Sequence, residues 1–545
     1  MSVGLEPRSG LASWALMALP NLDSSTTLWK TYLSWVNLAN AFRRLGGRPG
    51  NLPPPVTRRT QFRLLVALTI VWAIWAGWSL LGRSSPYTLR VVDDVGAVVV
   101  AANVDIGGDQ AGATDSEGHL TLRWSSSSDV LEVSAPGHIT QMVTVADRPE
   151  NVFDVVLKAR VLRGRVLDKQ GNPVGHARIF SGPAVGVSDE DGRFDLRGAE
   201  PGTVEVSRPA WVATSFSWDG SPGDTVVELI PFDARAVHIR GEAVVDDLEA
   251  FIAMAHDTEL NALMIDLKNE AGLVWYNSAN PVALDAGSVQ AAFDLAAIAE
   301  RAEEEELYLI GRLVLFNDPV VALAKPSMAV WDTATEAPLE TDGQRFLDPT
   351  DSDARAFALD LAREVCEMGV DEVQLDYVRF PDNRPESSQF DGGSPTPEVR
   401  TEAIESFLIE AAEMLRPMGC ALAADVFGFI TAPSDLFPDA GIGQNWERVS
   451  GLVDVISPMV YPSHYDANAY GFENPNDHPG QVVRRALRDG VDRLNANVIV
   501  RPWLQDFGYS AEQVRAQIDV AESYGFGWML WNARSDVTVG ALNTR

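Results

Sequence analysis

The sequence predicts an α/β protein whose C-terminal domain is a (β/α)8 TIM barrel, preceded by two small all-β sandwich modules and one N-terminal transmembrane helix. Three observations carry this. From residue 232 on, apolar runs alternate eight times with amphipathic stretches, the texture of parallel strands covered on both faces. Residues 84–231 read as short strands of alternating polarity broken by Gly, Asp and Pro. Leu64 to Gly82 is a run of 19 residues without a charge.

That uncharged run is long enough to cross a hydrocarbon core of about 30 Å as a helix. Arg43, Arg44, Arg48, Arg58, Arg59 and Arg63 precede it, while only Arg83 and Arg90 follow closely, beside Asp93 and Asp94. The positive-inside rule then makes residues 1–60 a cytoplasmic segment and 61–83 a single-pass anchor in the cell membrane. All later domains are expected on the extracytoplasmic side, periplasmic or extracellular.

An internal repeat runs through 84–158 and 159–231. The first copy carries Val92-Asp93-Asp94-Val95-Gly96 and Asp115-Ser116-Glu117-Gly118-His119. The second carries Leu167-Asp168-Lys169-Gln170-Gly171 and Asp189-Glu190-Asp191-Gly192-Arg193. Each Asp…Gly pair makes a hairpin turn between strands. The pattern resembles the carboxypeptidase regulatory-like domain, a small β-sandwich, and implies two spacers that hold the catalytic part away from the membrane. Turn chemistry accounts for Asp115, Glu117, Asp189 and Asp191, and no metal is expected there.

Composition narrows the function. Against 76 Asp and Glu stand 43 Lys and Arg, a net charge of −33, which repels phosphate backbones and argues against nucleic acid as a partner. Two cysteines exclude a disulfide scaffold and a Cys-based metal site. Cys366 and Cys420 are expected as buried free thiols, with a single disulfide as the alternative.

Within 232–545 the expected strands are Ala236–Ile239, Ala262–Leu267, Tyr308–Val314, Glu372–Val378, Ala421–Phe427, Val453–Met459, Asn497–Val500 and Gly525–Leu530. Helices are expected at Val245–His256, Ser288–Glu304, Asp351–Met368, Glu398–Leu415 and Gly480–Leu494, with the eighth short or missing. Active sites of such barrels lie at the C-terminal strand ends. There the sequence gathers Asp266, Arg312, Asp376, Tyr377, Arg379, Asp425, Tyr461, His464, Tyr465, Trp503, Gln505, Asp506 and Trp531.

The strings Asp371–Pro381, Ala424–Gly428, Gly441–Gln444, Ser457–Tyr465 and Arg501–Phe507 resemble a glycoside hydrolase family once labelled a domain of unknown function, DUF4015. The resemblance runs from about 232 to 535 and implies a TIM barrel with carbohydrate-active chemistry. Glycosidic cleavage needs two carboxyl groups, one donating a proton and one acting as nucleophile or base. Asp376 and Asp425 close adjacent strands, so the expectation is Asp376 as nucleophile or base and Asp425 as general acid, or the reverse. Asp506 and Asp266 are the reserve catalytic candidates. Arg312, Tyr377, Arg379, Tyr461, His464, Tyr465, Trp503, Gln505 and Trp531 are the expected substrate-binding residues, the rings stacking on sugar faces. The insertions Asp318–Asp348 and Pro381–Thr396 are expected to overhang the pocket. No His-rich ligand pattern points to a metal, and no cofactor is expected. The leading reading is a membrane-anchored glycoside hydrolase acting on polysaccharide. A non-catalytic carbohydrate-binding barrel, or another polysaccharide enzyme such as a lyase or transglycosylase, stays open.

Overall fold

Runs such as Ala262–Lys268, buried at every position, form stable strands only when helices cover one face and other strands the other. In the computed structural model eight parallel strands meet this condition by closing on themselves. They are β1 Arg235–Ile239, β2 Ala262–Lys268, β3 Tyr308–Val314, β4 Glu372–Asp376, β5 Ala421–Phe427, β6 Val455–Met459, β7 in two pieces (Ile499–Val500 and Trp503–Gln505) and β8 Trp528–Trp531. β1 pairs with both β2 and β8, which shuts the barrel. Around it lie α1 Gly241–Asp257, α2 Leu295–Glu304, α3 Ser352–Glu367, α4 Pro397–Met418, α5 Trp446–Ser450, α6 Pro479–Val491 and α7 Ala511–Ser523. Helix starts follow local chemistry. The Asp351 carboxylate accepts the Asp353 and Ala354 N–H groups at the head of α3, and Ser510 with Gln513 makes a capping box on α7. After β8, the described residues hold only the short 3-10 turn Val539–Ala541.

The structure departs from the sequence reading in four places. The helix expected from Ser288 begins only at Leu295, because Val289–Phe293 is a strand pairing in parallel with Val274–Tyr276, an outward extension of β2. Tertiary pairing overrides the helical propensity of that segment. β4 stops at Asp376, where Tyr377 turns to φ 51°. β7 is longer than expected and interrupted at Pro502, which has no N–H for the ladder. Cys366 and Cys420 are not free thiols: they form a disulfide with Cα atoms 6.0 Å apart, tying the end of α3 to the start of β5.

The structure describes residues 86–545 except 124–129, 145–151, 392, 435–437 and 495–496, with scattered helical positions between 59 and 73. The N-terminal segment and most of the expected span Leu64–Gly82 lie outside the described residues. Among the described residues no helix is long and apolar enough to cross a membrane.

Residues 86–159 form two four-stranded sheets, and 161–231 form sheets of four, three and two strands. The repeat recurs in their connectivity. Pro86–Asp93 pairs in parallel with Val152–Ala159, as Val161–Leu167 does with Asp224–Glu228. It also recurs in the turns, where Asp93, Asp115 and Asp168 each accept the N–H groups two and four residues ahead. Ala421, Ala423, Val455 and Ile499, at the N-terminal end of the barrel, share an apolar core with Ile179, Val204 and Trp211 of the second repeat. Arg208 reaches from that repeat to bond the buried Asp454 at 3.3 Å, and Arg416 bonds the same carboxylate at 3.1 Å. A β module therefore covers the barrel's N-terminal end at β5, β6 and β7, and the site lies at the opposite end.

Candidate active site

Side chains alternate along each strand, so the residues that point into the barrel near the strand ends converge. Arg312 of β3 stands at the centre. Its Nη1 donates to Asp266 of β2 at 2.6 Å, while Nη2 donates to Asp376 of β4 and to Glu270 beyond β2, each at 2.5 Å. The Glu270 and Asp376 oxygens thus lie within the sum of those two bonds, about 5 Å at most. Arg312 also lies over the Trp531 ring, 4.8 Å from its centroid. Although burial opposes its charge, the surrounding carboxylates hold the guanidinium firmly protonated.

The carboxylates have different surroundings. Asp376 accepts from Arg312 twice and from the Tyr377 N–H at 2.6 Å, and the left-handed backbone of Tyr377 accompanies that last bond. Asp266 accepts from Arg312 and contacts His238 Nε2 at 2.8 Å. Burial penalises its charge, but Arg312 and His238 outweigh it and lower its pKa to about 2. His238 Nδ1 meets the Asn532 carbonyl at 2.8 Å. Both ring nitrogens therefore face oxygen atoms, which fixes the orientation of the ring.

Asp425 differs again. It is 0% exposed, and its Oδ1 accepts from Trp503 Nε1 at 2.6 Å and from Gln374. Among the described residues its Oδ2 has no hydrogen-bond partner, and it lies 3.8 Å from Arg312 Nε. Burial and then the neighbouring Asp376 charge push its pKa well above the ordinary carboxylate range, against the pull of Arg312.

These groups border a cavity of about 310 Å³. Of the expected substrate-binding residues, Arg312, Tyr377, Arg379, Tyr461, His464, Tyr465, Trp503 and Trp531 all line it. Asp376 lines it too, with Glu270, Phe427, Gly428, Phe429 and Met459. Arg379 sits among the rings of Tyr377, Phe427 and Phe346 at 4.7, 4.9 and 5.3 Å, and bonds Asp382 at 3.0 Å. His464 is exposed at the mouth, its ring 5.3 Å from Tyr461, and partial burial pulls its pKa below the ordinary imidazole value.

Several expected residues stand elsewhere. Asp425 touches the cluster but lies behind the cavity wall. Asp266 lies beneath Arg312 and does not border the cavity. Gln505 uses its amide on Ser463 N–H and the Phe507 carbonyl, and Asp506 receives the Thr538 N–H; neither reaches the cavity. Among the described residues, neither insertion supplies a side chain to the cavity lining. They pair with each other through Trp331–Asp332 and Ser388–Gln389, and brace the wall from behind, Gln344 bonding the Tyr377 hydroxyl at 3.1 Å.

Glu270 and His238 were missed from sequence. Glu270 lies two residues past the end of β2, inside the loop that a barrel site uses, and its side chain is 38% exposed. His238 is the polar residue within the otherwise apolar run Ala236–Ile239.

No curated protein matches this chain. Among solved structures, a hypothetical protein from Ruminiclostridium thermocellum ATCC 27405 is 32% identical, over 35% of this chain and 97% of its own, with a TM-score of 0.32. The PgaB (BpsB) glycoside hydrolase domain from Bordetella bronchiseptica is 13% identical over 57% of this chain and 99% of its own, TM-score 0.42. The glycoside hydrolase domain of a PelA variant from Pseudomonas aeruginosa is 14% identical over 55% and 96%, TM-score 0.34. Residues 236–536 match the family described as "Putative glycosyl hydrolase domain". That match spans more than half of the chain and all eight barrel strands but the first residue of β1, and the chain belongs to this family, DUF4015.

Proposed function

We propose that this chain hydrolyses glycosidic bonds of a polysaccharide outside the cytoplasmic membrane, with Asp376 as nucleophile or base and Glu270 as proton donor. The observation that carries the reading is the pair of carboxyl groups on one cavity wall, tied to a single Arg312 nitrogen, with the two bonded oxygens at most about 5 Å apart. Such proximity is nearer the separation of about 5–5.5 Å used in double displacement than the separation of about 6.5–9.5 Å used by inverting enzymes, so the reading includes retention of anomeric configuration. Asp376, held by three donors, is suited to carry charge through the reaction. Glu270, with one Arg312 bond and an open face, is the carboxyl that a leaving oxygen meets first.

The raised pKa of Asp425 favours a second reading, in which that residue supplies the proton and Trp503 moves aside to let it through. The charge asymmetry around residues 64–82 supports a membrane anchor. The Cys366–Cys420 disulfide supports an oxidising, extracytoplasmic compartment. The resemblance of residues 84–231 to carboxypeptidase regulatory-like modules supports their role as spacers.

The test is turnover of a panel of peptidoglycan and exported polysaccharides by the full chain in detergent. Asp376→Asn and Glu270→Gln are each expected to lower kcat by about a hundredfold to ten-thousandfold. Full activity in Asp376→Asn would overturn the catalytic assignment. An active Glu270→Gln beside an inactive Asp425→Asn would move the donor role to Asp425. Unsaturated products would identify a lyase instead, and binding without turnover a carbohydrate-binding barrel.

A further inference from the structure

At the end of β5 the chain turns through the short 3-10 segment Gly428–Thr431. Gly428 is pressed onto β6: a Cβ there would lie 2.3 Å from the Met459 carbonyl oxygen and 2.8 Å from the Tyr465 hydroxyl. With the turn held flush, the flanking rings of Phe427 and Phe429 stack side by side, centroids 5.4 Å apart at 28°. Phe427 borders the carboxylate cavity and packs on Arg379. Phe429 is 52% exposed and borders both that cavity and a second one beside it, of about 970 Å³. Asn383, Pro433, Asn445, Arg448, Asp466 and Arg493 are among the walls of the second cavity.

Single exposed apolar side chains are ordinary on protein surfaces. A stacked pair that lines the carboxylate cavity, with its outer ring also bordering a second cavity, is a different arrangement. Pyranose rings present an apolar C–H face that packs on aromatic rings, and a wall mixing amide, carboxylate and guanidinium groups suits their hydroxyls. We infer that the barrel binds a polymer chain over several sugar units, which runs from the carboxylate cavity across Phe427 and Phe429 into the second cavity. This deepens the hydrolase reading above and rests on it for the identity of the ligand as a glycan. It makes the substrate a chain longer than the carboxylate cavity alone can hold, extended on the side where Phe429 borders the second cavity.

Binding is measured without cleavage, in the full chain carrying Asp376→Asn. Dimers and hexamers of β-1,4-linked N-acetylglucosamine, β-1,6-linked N-acetylglucosamine, β-1,4-linked glucose and α-1,4-linked glucose are titrated by calorimetry. In at least one series the hexamer is expected to bind about tenfold or more tighter than the dimer. Adding Phe429→Ala is expected to reduce that ratio several-fold, the range for loss of one aromatic stacking contact. Phe429→Trp, which keeps the ring, is expected to preserve it. The melting temperature of each variant separates loss of the platform from loss of fold. Equal affinity for dimer and hexamer in all four series, absence of binding in all four, or an unchanged ratio in Phe429→Ala overturns the inference. Wild-type turnover is scored separately: length-dependent binding without turnover would remove the hydrolase and leave the platform.

Discussion

Arg312, itself almost fully buried, holds three carboxyl groups at once through three nitrogens. A lysine supplies one compact charge on a flexible stem and cannot reproduce that planar fork. Arg312→Lys is expected to reduce turnover strongly. Arg312→Met leaves Asp266 and Asp376 buried without their cation, which costs about 3–5 kcal/mol of stability; chemical denaturation of the two variants measures both effects. The acids of the cluster respond to pH with opposite signs. Asp266 has a folded pKa lowered to about 2, so its contribution is fully present above the ordinary carboxylate range and is lost as pH falls toward 2. The shift corresponds to about 2 kcal/mol. The stability gap between wild type and Asp266→Asn should therefore narrow by that order between pH 5 and pH 2 in acid unfolding curves. Asp425 has a raised folded pKa, so its contribution is present at low pH and is lost as pH rises through that value. Asp425→Asn, which cannot ionise, should lose less stability than wild type on the alkaline side, and a melting-temperature profile that runs parallel to wild type would contradict the buried, protonated acid.

At the level of elements, the strand ends position the chemistry and the connections brace it. The disulfide closes a loop of 54 residues between α3 and β5, the strand that carries Asp425. In the chain-entropy account such a closure is worth about 4 kcal/mol. Cys366→Ser with Cys420→Ser is expected to lower stability by up to that amount and to leave the order of the barrel unchanged; equal denaturation midpoints with and without reductant would contradict this. Most strands were legible because apolar runs of strand length between amphipathic helices admit few other readings. The Val289–Phe293 strand was not legible, since Val-Gln-Ala-Ala-Phe continues smoothly into the helical pattern of α2, and only its partner Val274–Tyr276 decides its state. The disulfide stood only as the alternative to free thiols for a similar reason: the spacing of two cysteines so far apart in sequence does not set the distance between their Cα atoms.

Across the whole molecule, the second β module serves the barrel as more than a spacer. It covers Ala421, Ala423, Val455 and Ile499 with apolar side chains and sends Arg208 to the buried Asp454. A fragment starting at residue 232 uncovers that surface and leaves Asp454 with Arg416 alone among those two arginines. It is expected to bind hydrophobic dye and to melt several degrees below a fragment starting at 160. Equal melting temperatures would show that the barrel is indifferent to its base.

By itself the sequence determined the eight-strand barrel, the repeat before it and the arc of rim residues, because alternation, burial and turn chemistry are local properties of the chain. Asp376, Arg312 and the ring-bearing wall were readable from position at a strand end alone. Only the tertiary structure decided which acids meet. Glu270 and Asp376 are far apart in the chain and share one nitrogen, whereas Asp425 sits next to the cluster yet behind its wall. The direction of a side chain at a strand end depends on the register and twist of its neighbours, and those are set by the closed sheet as a whole.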